Sequence, residues 1–377
     1  MKKQSTFSLK DHLFNRKTIS KLAWWFSNND ESFDTNQFIV DCVDEFSHLE
    51  LKQRITHITQ VLSSYLPHDY AKALQVIHSA LPSELDPTKT DDDFGEFIIA
   101  PLSEYVSTYG CSEQYYEASR HTLIEITKRF SVEFAVRKFI NRFPEKTYQK
   151  FQELAYSDNY HQRRLVSEWS RISLPRAEKI TPWSPDQIIK LLDRLYDDPT
   201  RYVTRSVANN LNGLSKDNPK LVLETLQRRK NEWKQDTKEF QWMTTHSLRT
   251  LLKQWHPQAY EMLGYHKPSS LKAMNISYSK IVTIGESFEI TFDLSTSDDS
   301  LWKCSVRYTI GYLKKNWTYS QTVYKVAEID TQESSMHFTK RQPMRLMTTR
   351  ALYPWTHTWS IMVNGRVVEQ GEFELVE

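Results

Sequence analysis

Along the first 265 or so positions, apolar residues recur three to four apart in one segment after another: Ile55, Ile58, Leu62, Tyr65 and Leu66, then Leu74, Ile77 and Leu81. Pro67, Pro82, Pro87, Pro101, Pro144, Pro175, Pro182, Pro185, Pro199, Pro219 and Pro257 mostly fall between these runs. Proline removes a backbone donor, so their placement marks short connections between helices. The pattern predicts antiparallel helix pairs. Near Pro268 the period drops to two, in Ile281 to Ile284, Phe288 to Leu294, Ser305 to Ile310 and Trp359 to Val363. With the hairpin dipeptide Asn364-Gly365, these strands predict a small antiparallel sandwich.

The helical part repeats itself. Arg163-Arg164-Leu165-Val166-Ser167-Glu168 aligns with Thr204-Arg205-Ser206-Val207-Ala208-Asn209 at an offset of 41 residues, and Thr245-His246-Ser247-Leu248-Arg249 follows about 40 later. Paired helices at that period indicate a HEAT-type solenoid. The expected fold is an all-α HEAT-like repeat solenoid over residues 1–268 and a small all-β sandwich over 269–377.

Composition narrows the class. With 39% hydrophobic and 25% charged residues, and no long apolar stretch, the chain reads as soluble and globular, with no membrane partner. Lys10, Asp11, Arg16, Lys17 and Lys21 interrupt the first 25 residues, so no secretory leader is expected. Cys42, Cys111 and Cys304 are odd in number and far apart, which suits ordinary thiols in a reducing cytoplasm. The net charge of +2 conceals an asymmetry: −8 over residues 1–119, +10 over 120–253 and 0 over 254–377. The middle third is the candidate polyanion surface. Glycine-rich phosphate loops, HExxH and GxSxG elbows are all missing from the sequence, so neither a metal nor a cofactor is expected.

Four ordered segments resemble the AlkC-like DNA alkylation glycosylases: Arg129 to Arg137, Arg163 to Glu168, Asp198-Pro199 through Arg205 to Asn212, and His246 to Gln254. The tail, with Met347-Thr348-Thr349-Arg350, Tyr353-Pro354 and Val363-Asn364-Gly365-Arg366-Val367, is similar to the immunoglobulin-like domain that one branch of that family appends. The resemblance implies a C-shaped HEAT-like array that cradles duplex DNA. It implies excision of cationic N3-alkylated bases of the 3-methyladenine type in base excision repair, without base flipping and without metal. It carries the catalytic role to Glu133 and Glu168, with Arg171 as the basic residue at the lesion. The chain departs from its relatives after the second glutamate. They usually read Glu-Gly-Thr-Arg-Pro-Arg-Leu-Pro-Trp, where this chain has Glu168-Trp169-Ser170-Arg171-Ile172-Ser173-Leu174-Pro175-Arg176, and Gly213 stands where relatives often carry aspartate.

Two acids on a DNA-facing basic surface need a reason, because phosphates repel them. An alkylated purine is positively charged, and breaking its glycosidic bond builds oxocarbenium character on the sugar. An anion placed there stabilises the transition state. At about 4 Å and an effective dielectric near 20 the attraction is on the order of 4 kcal/mol, roughly a thousandfold in rate. The competing reading is that Glu133 and Glu168 bridge helices by pairing with Arg137, Arg164 or Arg171. Glu168 aligns with Asn209 and Arg249 in the following repeats, a shared polar position on one face. Trp169 is a candidate ring against a cationic base, with core packing as the alternative. Arg163, Arg164, Arg176, Arg205, Lys216, Arg249 and Lys253 are candidate phosphate ligands, and Arg350 with Tyr353 and Trp355 forms a basic-aromatic loop suited to a minor groove. The expected molecule is a cytoplasmic monomer acting on double-stranded DNA with alkylated bases. A non-catalytic binder of damaged or branched DNA is the alternative, and a protein scaffold a third.

Overall fold

The computed structural model describes residues 8–89, 91, 94–174, 178–265, 271–296, 302–345 and 352–377. Arg176 and Arg350 therefore lie outside the described residues.

The helices are α1 (Leu9–Leu13), α2 (Arg16–Ser27), α3 (Thr35–Val43), α4 (Leu51–Tyr65), α5 (Tyr70–Ala80), α6 (Ala100–Tyr109), α7 (Tyr116–Thr127) and α8 (Arg137–Arg142), followed by α9 (Pro144–Leu154), α10 (Tyr160–Trp169), α11 (Pro185–Leu192), α12 (Arg201–Leu214), α13 (Pro219–Glu232), α14 (Thr237–Lys253) and α15 (Pro257–Met262). Prolines open α9, α11, α13 and α15, where the missing N–H has no intrahelical partner to lose. Ser184 caps α11 in a reciprocal box with Gln187, and Ile188, Ile189, Leu191 and Leu192 form its buried stripe.

Helices α10, α12 and α14 are the like members of successive repeats. Ser206 meets Ser167 and Glu168, while Asn210 one turn further on meets Ser167 and Ser170, so α10 and α12 run in the same direction. Arg201 and Thr204 meet Glu239, and Asn209 meets His246 at 2.9 Å, which aligns α12 with α14 in the same way. The 41-residue sequence offset is thus a spatial neighbourhood. Among the described residues no helix is long and apolar enough to cross a membrane. Cys42, Cys111 and Cys304 are unbridged, and burial pushes each thiol up.

The strands are β1 (Leu271–Tyr278), β2 (Ile281–Thr283), β3 (Ser287–Thr296), β4 (Trp302–Leu313), β5 (Tyr319–Thr331), β6 (Ser335–Pro343), β7 (Trp355–Val363) and β8 (Arg366–Val376). They form a three-stranded sheet, β1-β3-β6, and a five-stranded sheet, β2-β8-β7-β4-β5. Pairing is antiparallel except between β2 and β8. Alternate residues such as Phe288, Phe292, Val306, Ile310, Ile361 and Phe373 fill the core of the sandwich. Asn364 and Gly365 have φ of 47° and 84°, the left-handed pair that a two-residue hairpin requires.

The chain divides into two compact units: residues up to Asn218 with Glu232–Ser247, and Pro219–Asn231 with Leu248–Glu377. The second unit therefore holds the sandwich together with helical segments that precede it in sequence.

Candidate active site

The site lies in the first unit, where α10 and α12 face the segment between α7 and α8. Asn159 caps α10 by accepting the backbone N–H of His161, and the helix then carries Arg164, Glu168 and Trp169 one to one and a half turns apart. Glu168 is 3% exposed. Its Oε1 accepts from Arg171 Nη1, and its Oε2 accepts from the Ser206 hydroxyl at 2.8 Å and lies 3.7 Å from Arg164 Nη2. Burial works to raise its pKa, but the charges of Arg164 and Arg171 and its hydrogen bonds outweigh that cost. The carboxyl is held below the usual glutamate range.

Glu133 shares the same cation. Its Oε2 lies 3.8 Å from Arg164 Nη2, and its side chain keeps 28% of its surface exposed. Burial, reinforced by the charge of Glu168, pushes its pKa up against the opposing pull of Arg164, Arg171 and Arg137. Two carboxyls that share one guanidinium thus have opposite proton affinities: Glu168 is locked and anionic, Glu133 is reachable by water and more basic. Separating the proton affinities of neighbouring acids in this way is what acid-base chemistry requires.

Arg164 is held from several sides. Beyond the two acids, Nη1 donates to the Ser131 hydroxyl, and the guanidinium carbon lies 4.7 Å from the ring centre of Tyr202 and 5.9 Å from that of Phe94. Arg171 is paired with Glu168, and among the described residues its buried Nε has no hydrogen-bond partner.

Arg137 was foreseen only as a pairing partner for the glutamates, and it does something else. Fully buried, it donates to the carbonyls of Arg171, Ile172 and Glu178, so it holds the backbone at 171–172, within the segment that departs from the relatives, and at 178 beyond it. Desolvation lowers its pKa to about 10, still charged at neutral pH. Ser206 and Asn210 were also missed. The only signal for them was their place in the repeat that aligns with Glu168.

Several of the expected site residues have partners within the protein. Trp169 is 2% exposed and packs against Phe151 at 5.8 Å between ring centres, because the helix turns it into the core while Glu168 faces α12. No base reaches it. Arg163 is committed to structure: it grips Asp198 through Nε at 2.6 Å and Nη2 at 3.2 Å, and Nη1 donates to the carbonyls of Ser157 and Asp158. Asp198 also accepts from Thr200, building the turn into α12. Arg164, 8% exposed, lies between the two carboxylates. Arg205 is paired with Asp91. Lys216 and Lys253 are exposed and Arg249 is half-buried, the latter two within the second unit.

Comparison with known proteins bears on the whole chain. Residues 271–377 match the family described as "Uncharacterised protein YhaZ, C-terminal Ig-like domain". The protein YhaZ of Bacillus subtilis strain 168, itself described as uncharacterised, is 29% identical over 368 residues, covering 96% of this chain and 98% of that one. The structure of the alkylpurine DNA glycosylase AlkC of Pseudomonas fluorescens, bound to DNA containing an abasic site analog, superposes with a TM-score of 0.75 at 27% identity. It covers 99% of this chain and 100% of that one. The resemblance to AlkC-like glycosylases with an appended immunoglobulin-like domain therefore holds in both sequence and fold.

Proposed function

We propose that this chain is a DNA glycosylase that hydrolyses the N-glycosidic bond of cationic N3-alkylated bases, of the 3-methyladenine type, in duplex DNA and without flipping the base. The observation that carries this reading is the Glu133 and Glu168 pair on Arg164, set in a chain that matches AlkC from end to end. The alkylated base leaves with the bonding electrons of the glycosidic bond, which neutralise its charge. Water adds through oxygen to C1′ of the sugar. Glu133, half-buried and with raised proton affinity, accepts the proton that the water loses.

Glu168 supplies a fixed anion for the oxocarbenium-like transition state. Arg164 and Arg171 offset most of its field in the free protein, so the gain is smaller than for a bare carboxylate at the same distance. It grows if DNA phosphates draw Arg171 away from Glu168.

The test is incubation with methylated genomic DNA and identification of released bases by mass spectrometry. The parent protein is expected to release 3-methyladenine, and Glu168→Gln to slow release by at least about a hundredfold, the loss typical of removing one charge-stabilising group. A Glu168→Gln protein that releases base at the parental rate would sink the assignment. A second reading has its own support: both oxygens of Glu168 are already occupied by Arg171 and Ser206, as a purely structural bridge would have them. It predicts a protein that binds damaged duplex and releases no base from any substrate.

A further inference from the structure

With Trp169 in the core, the carboxylate pair lacks the aromatic surface expected beside it, yet the structure places another ring there. Phe94 comes from the long connection between α5 and α6. It is 46% exposed, an unusual state for a ring fixed at a polar site. Its backbone carbonyl accepts from Ser131 N at 3.3 Å, and Gly95 forms an isolated antiparallel bridge with Phe130, two to three residues before Glu133. Gly95 has φ of +72°, and a Cβ there would stand 1.9 Å from the carbonyl oxygen of Arg129, so only glycine permits this approach. The ring packs edge-on against Tyr202 at 5.4 Å and lies 5.9 Å from the guanidinium carbon of Arg164.

Phe94, Tyr202, Glu133 and Glu168 thus enclose a planar, delocalised cation, the guanidinium of Arg164. An alkylated purine is the same kind of object: flat, delocalised and positive. Tyr202 is buried at 3% exposure, so among these rings Phe94 is the one with surface left for a ligand.

We propose that the face of the Phe94 ring meets the edge of the cationic base, and that it confers preference for charged over neutral bases at this site. The inference rests on the glycosylase reading for the identity of its ligand, so the experiment separates the two. Binding is measured to duplexes carrying a 2′-fluorinated N7-methylguanine, a cationic base whose glycosidic bond is stabilised, and to the same duplex carrying neutral 7-deaza-7-methylguanine. The parent protein is expected to bind the cationic duplex about fivefold more tightly, and Phe94→Leu, which keeps apolar bulk and loses the π face, to bring the ratio near one. Phe94→Tyr should restore it, while affinity for undamaged duplex stays constant across all three proteins. A parent protein without the preference, or a Phe94→Leu protein that keeps it, overturns the proposal. A parent protein that shows the preference, loses it in Phe94→Leu and yet releases no base from methylated DNA upholds the role of Phe94 and removes the glycosylase reading instead.

Discussion

At the scale of single residues, the site is governed by how two carboxyls share Arg164. Glu133 has a raised pKa in the folded chain, so its ionisation opposes folding as pH climbs through that value. Glu133→Gln removes that opposition. The variant is expected to melt higher than the parent at pH 7 to 8, and the difference should shrink on acidification below about 4.5, where Glu133 is protonated folded or unfolded. Thermal melts across pH check this, and a constant difference would contradict it. Glu168 behaves in the opposite sense. Its lowered pKa stabilises the fold above the unfolded value, and that contribution is lost as pH falls through the folded one. Truncation to alanine also leaves Arg164 and Arg171 uncompensated, so Glu168→Ala should cost about 3–5 kcal/mol in urea denaturation and Glu168→Gln distinctly less. Glu133, Glu168 and Arg171 are singled out in the sequence by the resemblance, not by a single motif, and the fold brings them together around Arg164 and Glu168. The burial of Trp169 was not, since neighbours on a helix point about 100° apart and only the packed partner, Phe151, decides which of them faces inward.

At the scale of elements, the connection from α5 to α6 ties successive helices together. Arg129 Nε donates to the carbonyl of Pro82 at 2.6 Å, Leu85 N to that of Lys128 at 3.0 Å, and the Tyr160 hydroxyl to that of Asp86 at 3.4 Å, while Asp91 pairs with Arg205 on α12. Read along the sequence, this stretch is only a polar, proline-containing loop. Its role depends on contacts with residues 43 to 114 positions away, which periodicity cannot reveal. Gly95→Ala is expected to destabilise by about 1–3 kcal/mol in urea denaturation, because it combines a left-handed backbone with a steric clash. The repeat was readable because its alignment rests on local sequence, and the parallel stacking of α10, α12 and α14 follows from it.

At the scale of the whole molecule, the charge asymmetry overstates how many cations are available to a polyanion. Residues 120–253 hold the positive excess, but the guanidinium of Arg163 is spent on Asp198 and two carbonyls, and that of Arg164 on the carboxylates. These two arginines rank with Lys216 in the sequence and differ from it entirely in the fold, because a cation's availability depends on its partners and not on its count. Two substitutions separate the cases. Each phosphate contact contributes about 0.9 to the slope of log affinity against log salt, so Lys216→Ala should flatten that slope by about one if Lys216 meets DNA, with little change in melting temperature. Arg163→Ala should do the reverse, because it strips Asp198 of its partner at the turn into α12: a clear drop in melting temperature, and a salt slope equal to that of the parent protein. If Arg163→Ala flattens the slope and leaves the melting temperature unchanged, Arg163 contacts phosphate in the complex, and the bridge to Asp198 opens when DNA binds.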